Sequence, residues 1–414
     1  MQALQLFSSW YQTRKALTAP PHILADKRER LWKNLQPTLA KPPALAPFAG
    51  SALADFPVIK PADMREDISR WNSAGISHAD ACQAAAAAET GGSGEVTSGI
   101  IAGYSTGTSG TKGVFLASAR ERAVYAGQSI AKLLPLHQML SGVRVLLFLR
   151  ANSRLYSDGK GARLFDFRYC PLSLSPQEKL AAAKTYDPHI LIAPAHVLAE
   201  LAGQGFNGAS LKQCFYGAEP MGDIESDWVG QTIGKTPAPI YQATEGFLGF
   251  TCRHGHLHLN EDSLMVDTLP VKGTDGVQLI VTDLLRTSQP IVRVLLDDFI
   301  EPSPLACSCG FAGRTIRPVA GRVQHLWRIH GKVITPRQVT HIMETTLGAA
   351  APWAAHAAPD HATLYLPQET QGPQVSALQS ALRQGLLPAD FPIVIRSIET
   401  MQKEHKRNRI RWHG

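Results

Sequence analysis

The sequence predicts an α/β protein with a large domain followed by a smaller one, and three observations support this. The chain has 414 residues, of which 44% are hydrophobic and 18% charged, so it can form more than one globular domain. Through its middle, short apolar strand patterns alternate with helical patterns, as parallel sheets with crossover helices require. After position 321 the pattern becomes that of an α+β unit of about 90 residues.

The individual elements follow in order along the chain. Residues 1–55 indicate helices interrupted by proline, and residues 76–91 predict a helix that Ser77 caps. RVLLFLR at 144–150 is typical of a buried strand, and HILIAPAHVLAELAG at 189–203 of a strand that leads into a helix.

From about residue 256 to residue 300, strand patterns follow one another without helices between them, which indicates a barrel or meander. We therefore expect a large N-terminal domain, residues 1–320, of mixed and mostly parallel sheets plus a distorted β-barrel. A small mobile C-terminal α+β domain, residues 321–414, should follow it.

Composition and charge argue against two classes of partner. No segment approaches the roughly 18 consecutive apolar residues of a membrane helix, and the N-terminal segment lacks the pattern of a signal peptide. We therefore expect a cytoplasmic monomer or homodimer with no membrane partner. The net charge is +7, but only the segment 403–414 is densely basic. The positive field suits an anionic nucleotide or coenzyme as well as a nucleic acid, and we expect no nucleic-acid partner.

The segment YSTGTSGTKG, residues 104–113, has the composition of a phosphate-binding loop. Its glycines permit close approach of the backbone, its hydroxyls donate hydrogen bonds, and Lys112 adds a positive charge. It matches neither the Walker loop nor the glycine motif of dinucleotide-binding folds. Taken alone, the segment fits either a flexible Ser/Gly linker or a phosphate cradle.

Five further motifs follow this loop. They are YGAEP (216–220), YQATEG (241–246), TDLLRTSQPIVRVLLDDF (282–299), AGR (320–322) and HKRNRI (405–410). Together with the loop, they resemble the ordered motifs of the adenylate-forming superfamily, which includes acyl-CoA synthetases, adenylation domains and luciferases. The loop is similar in form to that of the phenylacetate-CoA ligase branch, and other segments resemble a subgroup of that branch without assigned substrates. The resemblance extends from about residue 56 to residue 411.

The resemblance implies an ATP site. The adenine would lie between the loop that begins at Gly217 and the ring of Tyr241, and Asp298 would bind both ribose hydroxyls, with Asp297 as the alternative. The residues assigned to ATP in this way are Ser105, Thr106, Gly107, Thr108, Ser109, Gly110, Gly217, Ala218, Glu219, Tyr241, Asp298 and Arg322.

The resemblance also implies the catalytic residues. Thr244 would contact phosphate and Glu245 would hold Mg²⁺, a role suited to a lone carboxylate in a loop that faces phosphate. Lys406 and Lys112 would neutralise charge on the reacting carboxylate and phosphates. Arg322 belongs to the hinge that leads into the small domain.

Two departures from the family pattern accompany these matches. Val294 and Leu295 follow Arg293 where the family often has Tyr-Arg. Beyond the hinge, residues 323–325 are Val-Gln-His where aspartates are common. The second difference leaves open whether the small domain moves to support a second reaction.

The implied function is ATP-dependent activation of a carboxylic acid, with aryl acids among the candidates, as acyl-AMP with release of pyrophosphate. The acyl group would then pass to a thiol of coenzyme A or of an acyl carrier protein. Two alternatives stay open: an adenylyltransferase that transfers AMP to a hydroxyl, and a nucleotide-binding protein with a decayed active site.

A separate set of cysteines and histidines has the spacing of a metal site. Cys252 and His258 are followed by Cys307 and Cys309, which gives Cys-x5-His and then Cys-x-Cys. These could form a tetrahedral, structural Zn²⁺ site, and the alternative is a set of reduced thiols beside surface histidines. Alternation places His256 and His258 on one face, and the Leu-His-Leu pattern of the related family selects His258.

Overall fold

A computed structural model describes residues 2–104, 113–136, 142–149, 165–400 and 408–414. Its helices are α1 (Gln2–Ala16), α2 (Pro21–Leu39), α3 (Pro61–Glu66), α4 (His78–Glu89), α5 (Ala119–Leu133), α6 (Pro176–Tyr186), α7 (Ala195–Gly203), α8 (Asp223–Ile233), α9 (Pro336–Leu347) and α10 (Gly372–Gly385). The predicted phosphate loop, residues 105–112, and Lys406 lie outside the described residues.

The strands of the first part of the chain are β1 (Glu95–Thr97), β2 (Ile100–Tyr104), β3 (Val114–Ser118), β4 (Val143–Leu149), β5 (Phe165–Pro171), β6 (Ile190–Pro194), β7 (Gln213–Gly217), β8 (Pro237–Ala243), β9 (Gly246–Thr251), β10 (Leu257–Leu259) and β11 (Leu264–Pro270). Those that follow are β12 (Val277–Asp283), β13 (Ile291–Leu295), β14 (Asp298–Phe299), β15 (Thr315–Ile316), β16 (Gly321–Arg322), β17 (Trp327–Ile329), β18 (Lys332–Ile334), β19 (Ala354–Ala357), β20 (Ala362–Leu366), β21 (Ile393–Ser397) and β22 (Ile410–Trp412).

The central sheet has eight strands in the order β15-β10-β9-β8-β7-β6-β4-β5. Strands β5, β4, β6, β7 and β8 are parallel neighbours, and the remaining pairs are antiparallel. Leu146 and Phe148 pack into the core beneath α6, α7 and α8, whereas Val145 and Leu147 pack on the opposite face with α5. Because both faces of β4 are covered, its sequence is a nearly continuous apolar run. The predicted α/β class is confirmed.

Two three-stranded antiparallel sheets flank the central one, in the orders β1-β2-β3 and β11-β12-β13. The backbone of Ile59, just before α3, pairs with β13 next to Val294. This pairing joins the N-terminal segment to β13, which ends shortly before the predicted ribose residue Asp298. The distorted barrel stays a prediction.

The C-terminal residues form a smaller α+β portion. Its sheet has the order β21-β20-β19-β22, and α9 and α10 pack against it. The buried side chains of Trp327, Leu364 and Leu382 belong to a core separate from those of the large sheets. The predicted division near residue 320 agrees with this separation and stays a prediction. Among the described residues, no helix is long and apolar enough to span a membrane.

Candidate active site

A cavity of about 600 Å³ lies at the carboxyl ends of β4, β6, β7 and β8. Ligands of parallel sheets bind at this edge, and the volume lies within the range of small-molecule sites. All predicted nucleotide-site residues in the described part of the chain line this one cavity: Gly217, Ala218, Glu219, Tyr241, Thr244, Glu245, Asp298 and Arg322. Motifs separated by up to about 100 positions therefore share a single site.

Asp298 is held by two neighbours. The hydroxyl of Tyr241 donates to its Oδ2 at 2.8 Å, and Nε of Arg322 lies 3.8 Å from its Oδ1. The short β14–β16 pair places Arg322 directly opposite Asp298, so the hinge segment is in register with the predicted ribose residue. Burial, and then the charge of Asp298, raises the pKa of Tyr241 well above its ordinary value, which keeps the hydroxyl a donor.

Thr244 and Glu245 form the turn between β8 and β9. The carbonyl of Thr244 accepts a hydrogen bond from Nη1 of Arg286 at 2.5 Å, which fixes the turn. Burial raises the pKa of Glu245, Asp298 raises it further, and the positive charges of Arg286 and Arg65 oppose the shift. A half-buried carboxylate beside a second carboxylate suits a cation ligand, because a bound cation would relieve the repulsion between them.

The 217–219 loop is anchored through Glu219. Its carboxylate pairs with Nδ1 of His196 at 2.8 Å and accepts from the His196 backbone N–H at 3.2 Å, at the start of α7. A carboxylate at that helix end also interacts favourably with the helix dipole. Ala218 has a φ of 69°, a conformation that favours glycine and is uncommon for residues with a Cβ. None of the sequence motifs predicted that His196 would anchor this loop.

Sequence reasoning also missed the anchor of α5. Glu121 pairs reciprocally with Ser118 as a capping box, and Ser118-x-x-Glu121 is a signal that could have revealed it. Its carboxylate additionally accepts from the Thr287 and Ser288 backbone N–H groups at 2.5 and 2.8 Å. Burial raises the pKa of Glu121, but hydrogen bonds from the Ser288 hydroxyl and from the Ser118 and Ser288 backbone N–H groups bring it below its ordinary value. The bonds from Thr287 and Ser288 join the helix that follows the predicted phosphate loop to the segment that carries Arg286.

The C-terminal portion contributes the opposite side of the cavity. Nη1 of Arg409 lies 3.2 Å from Glu225 Oε2 on α8 and 3.5 Å from Glu344 Oε1 on α9. Both glutamate side chains are 1% exposed. Burial, and then the charge of Glu225, raises the pKa of Glu344 to about 7. One guanidinium therefore faces two buried carboxylates.

A second arginine also joins the C-terminal portion to the large one. Nε of Arg337, in the first turn of α9, lies 2.6 Å from Glu301 Oε2, and its Nη2 donates to the carbonyl of Pro318 at 2.6 Å. Asp223 lies 3.7 Å from its Nη1. We call Arg337, Glu344 and Arg409 the C-terminal wall, and Tyr241, Glu245 and Asp298 the nucleotide wall.

The predicted metal ligands come together away from the cavity. Ligand atoms of Cys252, His258, Cys307 and Cys309 all lie within 4.8 Å of one another. The Cys252 and Cys307 sulfurs are 3.6 Å apart, and Cys309 Sγ lies 3.5 Å from His258 Nε2. Zn–S and Zn–N bonds of about 2.3 and 2.1 Å at tetrahedral angles give separations close to these.

The His258 ring is oriented for such a role. Its Nδ1 donates to the Gly313 carbonyl at 2.7 Å, which directs Nε2 toward the three sulfurs. His254, by contrast, is exposed. The set of donors and the second-shell contact therefore fit Zn²⁺.

Neither a protein-family model nor a curated protein matches the sequence. Solved structures do match the fold. A 2-hydroxyisobutyryl-CoA ligase in the postadenylation state, bound to R3-HIB-AMP, has a TM-score of 0.67 at 16% identity, over 96% of this chain and 90% of that chain. The same ligase in an open conformation with 2-HIB-AMP and CoA has a TM-score of 0.53 at 14% identity, over 100% and 90%.

An anthranilate CoA ligase, AuaEII, in complex with anthranoyl-AMP has a TM-score of 0.50 at 12% identity, over 72% of this chain and 64% of that chain. These neighbours are acyl-CoA and aryl-CoA ligases of the adenylate-forming superfamily. The chain has their fold: a large mixed α/β portion and a smaller C-terminal α+β portion.

Proposed function

We propose that the protein is an ATP- and Mg²⁺-dependent ligase that activates a carboxylic acid as acyl-AMP and transfers the acyl group to a thiol. The observation that carries this proposal is the Tyr241–Asp298–Arg322 cluster, which faces a cavity that also contains Glu245. An ionised carboxylate held by a phenol and a guanidinium can accept hydrogen bonds from two ribose hydroxyls. The fold shared with CoA ligases gives the cluster its context.

In the first step, a carboxylate oxygen of the acid attacks the α-phosphorus of ATP and forms a C–O–P bond. The bond from that phosphorus to the bridging oxygen breaks, and pyrophosphate leaves with the electron pair. Glu245 would hold Mg²⁺, which supplies charge neutralisation for the phosphates. Loop residues 105–110, Lys112, Thr244 and Lys406 are assigned to phosphate and carboxylate contacts by the motif resemblance, and catalysis would consist mainly of positioning and charge neutralisation.

In the second step, the sulfur of coenzyme A or of a carrier-protein pantetheine attacks the acyl carbon. A C–S bond forms, the bond from carbon to the AMP oxygen breaks, and the thiol proton passes to solvent. The TM-score is higher with the postadenylation state than with the open conformation, 0.67 against 0.53. We infer that the described arrangement of the C-terminal portion serves the first step.

The substrate class follows from the neighbours and from the cavity. The ligands in the neighbours are acyl-AMP species with a small hydroxy acid or an aryl acid. Tyr125, Phe148 and Phe247 give this cavity aromatic walls, and Gln128 adds a polar group. A small or aryl carboxylic acid therefore fits best. We assign the protein to the phenylacetate-CoA ligase-like branch on the form of its phosphate loop and of YGAEP.

The deciding experiment is pyrophosphate exchange into ATP with a panel of acids, followed by a test for thiol-dependent release of AMP. We expect one small or aryl acid to support exchange, and coenzyme A or a carrier protein to accelerate AMP release. Stable AMP-modified product without any thiol would instead select the adenylyltransferase. Binding of ATP with no exchange for any acid would select the decayed nucleotide-binding protein.

We also propose that Cys252, His258, Cys307 and Cys309 hold a structural Zn²⁺. The supporting observation is the His258 imidazole, oriented by Gly313 toward three sulfurs. Metal analysis of the purified protein should give one zinc per chain, and Cys309→Ser should reduce zinc content and unfolding temperature together. Cys214→Ser, in a buried cysteine outside the cluster, is the matched control. Unchanged zinc content in Cys309→Ser would contradict the assignment.

A further inference from the structure

Arg65 is a cavity residue to which none of the sequence motifs assigned a role. It lies in α3 and forms part of the wall of the nucleotide cavity. The helix is firmly placed, because Ile59 N–H donates to the Arg293 carbonyl at 2.9 Å and Met64 is buried in the same core as Trp71. With Met64 directed into the core, the next side chain lines the cavity.

Two acidic residues near Arg65 in sequence, Asp63 and Asp67, accept hydrogen bonds from other groups. Asp63 Oδ2 accepts from the Lys60 backbone N–H at 3.2 Å, and Asp67 Oδ1 accepts from the Ser69 backbone N–H at 2.9 Å. Among the described residues, no carboxylate forms an ion pair with Arg65. Its guanidinium is therefore available to a ligand.

Arg286 differs from Arg65 in its hydrogen-bond partners. Both arginines act electrostatically on Glu245. Arg286, however, donates to the Thr244 and Leu116 carbonyls and to Gln289, so protein atoms occupy its donors. Arg286 therefore positions the turn, whereas Arg65 presents an unused positive charge to the same region.

The chemistry of the region indicates which ligand would use that charge. Mg²⁺ in proteins is held by one or two carboxylates together with phosphate oxygens, so a cation on Glu245 would bring phosphates near Arg65. Tyr104, which directly precedes the predicted phosphate loop, lines the same cavity as Arg65. Guanidinium groups bind phosphates through two parallel hydrogen bonds.

We propose that Arg65 binds the β- and γ-phosphates of ATP and retains them as the pyrophosphate leaving group. This inference rests on the proposed function, because it assumes that the cavity binds ATP. It adds a positive charge from the N-terminal part of the chain to the phosphate site.

The test compares ligands with and without these phosphates. Calorimetry would measure binding of AMP and of α,β-methylene-ATP with Mg²⁺ to wild type, Arg65→Gln and Arg65→Lys. Loss of a charge-assisted hydrogen-bond pair should weaken the ATP analogue about 10- to 100-fold in Arg65→Gln and leave AMP within about 2-fold. Arg65→Lys should retain part of the affinity, because lysine keeps the positive charge but cannot donate the two parallel hydrogen bonds of a guanidinium group. Arg70→Gln, on the exposed face of the next segment, is the control.

Several results would overturn the assignment. Equal weakening of AMP and the ATP analogue would indicate a structural role, and unchanged binding of both with a raised KM for the acid would assign Arg65 to the substrate carboxylate. A wild-type chain that binds no ATP analogue would overturn this inference and the proposed function together. A chain with the expected AMP–ATP difference but no acid-dependent exchange would support Arg65 and refute the ligase.

Discussion

The two walls of the cavity differ in how their charges are balanced. In the nucleotide wall, Asp298 has the Tyr241 phenol and the Arg322 guanidinium as neighbours, and strand pairing places Arg322 opposite it. In the C-terminal wall, Arg409 faces both Glu225 and Glu344. Because these two carboxylates are buried and repel each other, the C-terminal wall carries the larger desolvation cost.

The nucleotide wall has the features of a preorganised site, whereas the C-terminal wall has those of an interface between two portions of the chain. The nucleotide wall holds its acceptors in place before ligand arrives, which is how polar groups stabilise a transition state without reorganisation. In the C-terminal wall, burial and the charge of Glu225 outweigh the effect of Arg409 on the pKa of Glu344. Such an interface would suit the proposed movement of the C-terminal portion between two reactions.

The largest effect is expected for Asp298→Ala, which removes the proposed ribose acceptor from the nucleotide wall. Two hydrogen bonds to a charged group are lost, so kcat/KM for pyrophosphate exchange should fall about 100- to 1,000-fold. The same assay on Asp297→Ala is the control, because this neighbour is the alternative ribose residue. A larger loss in Asp297→Ala would transfer the assignment to that position.

Arg409→Ala should have the next largest effect, because it removes a guanidinium that faces two buried carboxylates. Breaking such a pair costs about 3–5 kcal/mol in a fixed interface, but separation of the portions can relieve the strain. We therefore expect exchange activity to fall about 10- to 100-fold while the unfolding temperature changes little. Adding Glu344→Gln to Arg409→Ala should restore part of the activity. Arg396→Ala, at an exposed position of β21, should have the exchange activity of wild type. An equal loss of activity in this variant would mean that the interface is not the cause of the effect.

A pH dependence should distinguish the two walls. The pKa of Glu344 in the interface is about 7, above its ordinary value, so the closed interface binds a proton more tightly than the separated portions do. Raising the pH toward 7 should therefore weaken the closed arrangement, and little further change should follow above that value.

The measurement is the ratio of pyrophosphate exchange to thiol-dependent AMP release between about pH 5.5 and pH 8. The ratio should fall as the pH rises in wild type and become flat in Glu344→Gln. Glu369→Gln, at an exposed position of the C-terminal portion, should keep the wild-type profile. A flat wild-type ratio would mean that Glu344 does not control the interface.

The two walls also differ in how far the sequence predicted them. Tyr241, Glu245 and Asp298 lie in short motifs that resemble those of the adenylate-forming superfamily, and this resemblance was enough to predict that they share one site. The metal cluster could also be predicted from the sequence, because cysteine and histidine ligands at such short spacings are rare. Arg337 and Glu344 on α9, and Arg409 near the C-terminus, have partners in other elements, and this pairing depends on how the two portions pack. No local pattern encodes such packing, which is also why His196 was missed.

The smallest effect is expected for Tyr241→Phe, which tests whether the nucleotide wall is preorganised. The substitution removes one hydrogen bond to Asp298 and leaves the ring in place, so nucleotide affinity should fall about 5- to 10-fold. Tyr216→Phe is the matched control, because it removes a hydroxyl from the same cavity. If Tyr241 acts through Asp298, its effect on AMP binding should shrink markedly in an Asp298→Asn background. Full additivity of the two substitutions would show that the phenol acts on the nucleotide directly, and the predicted contact of the Tyr241 ring with adenine would then account for its role.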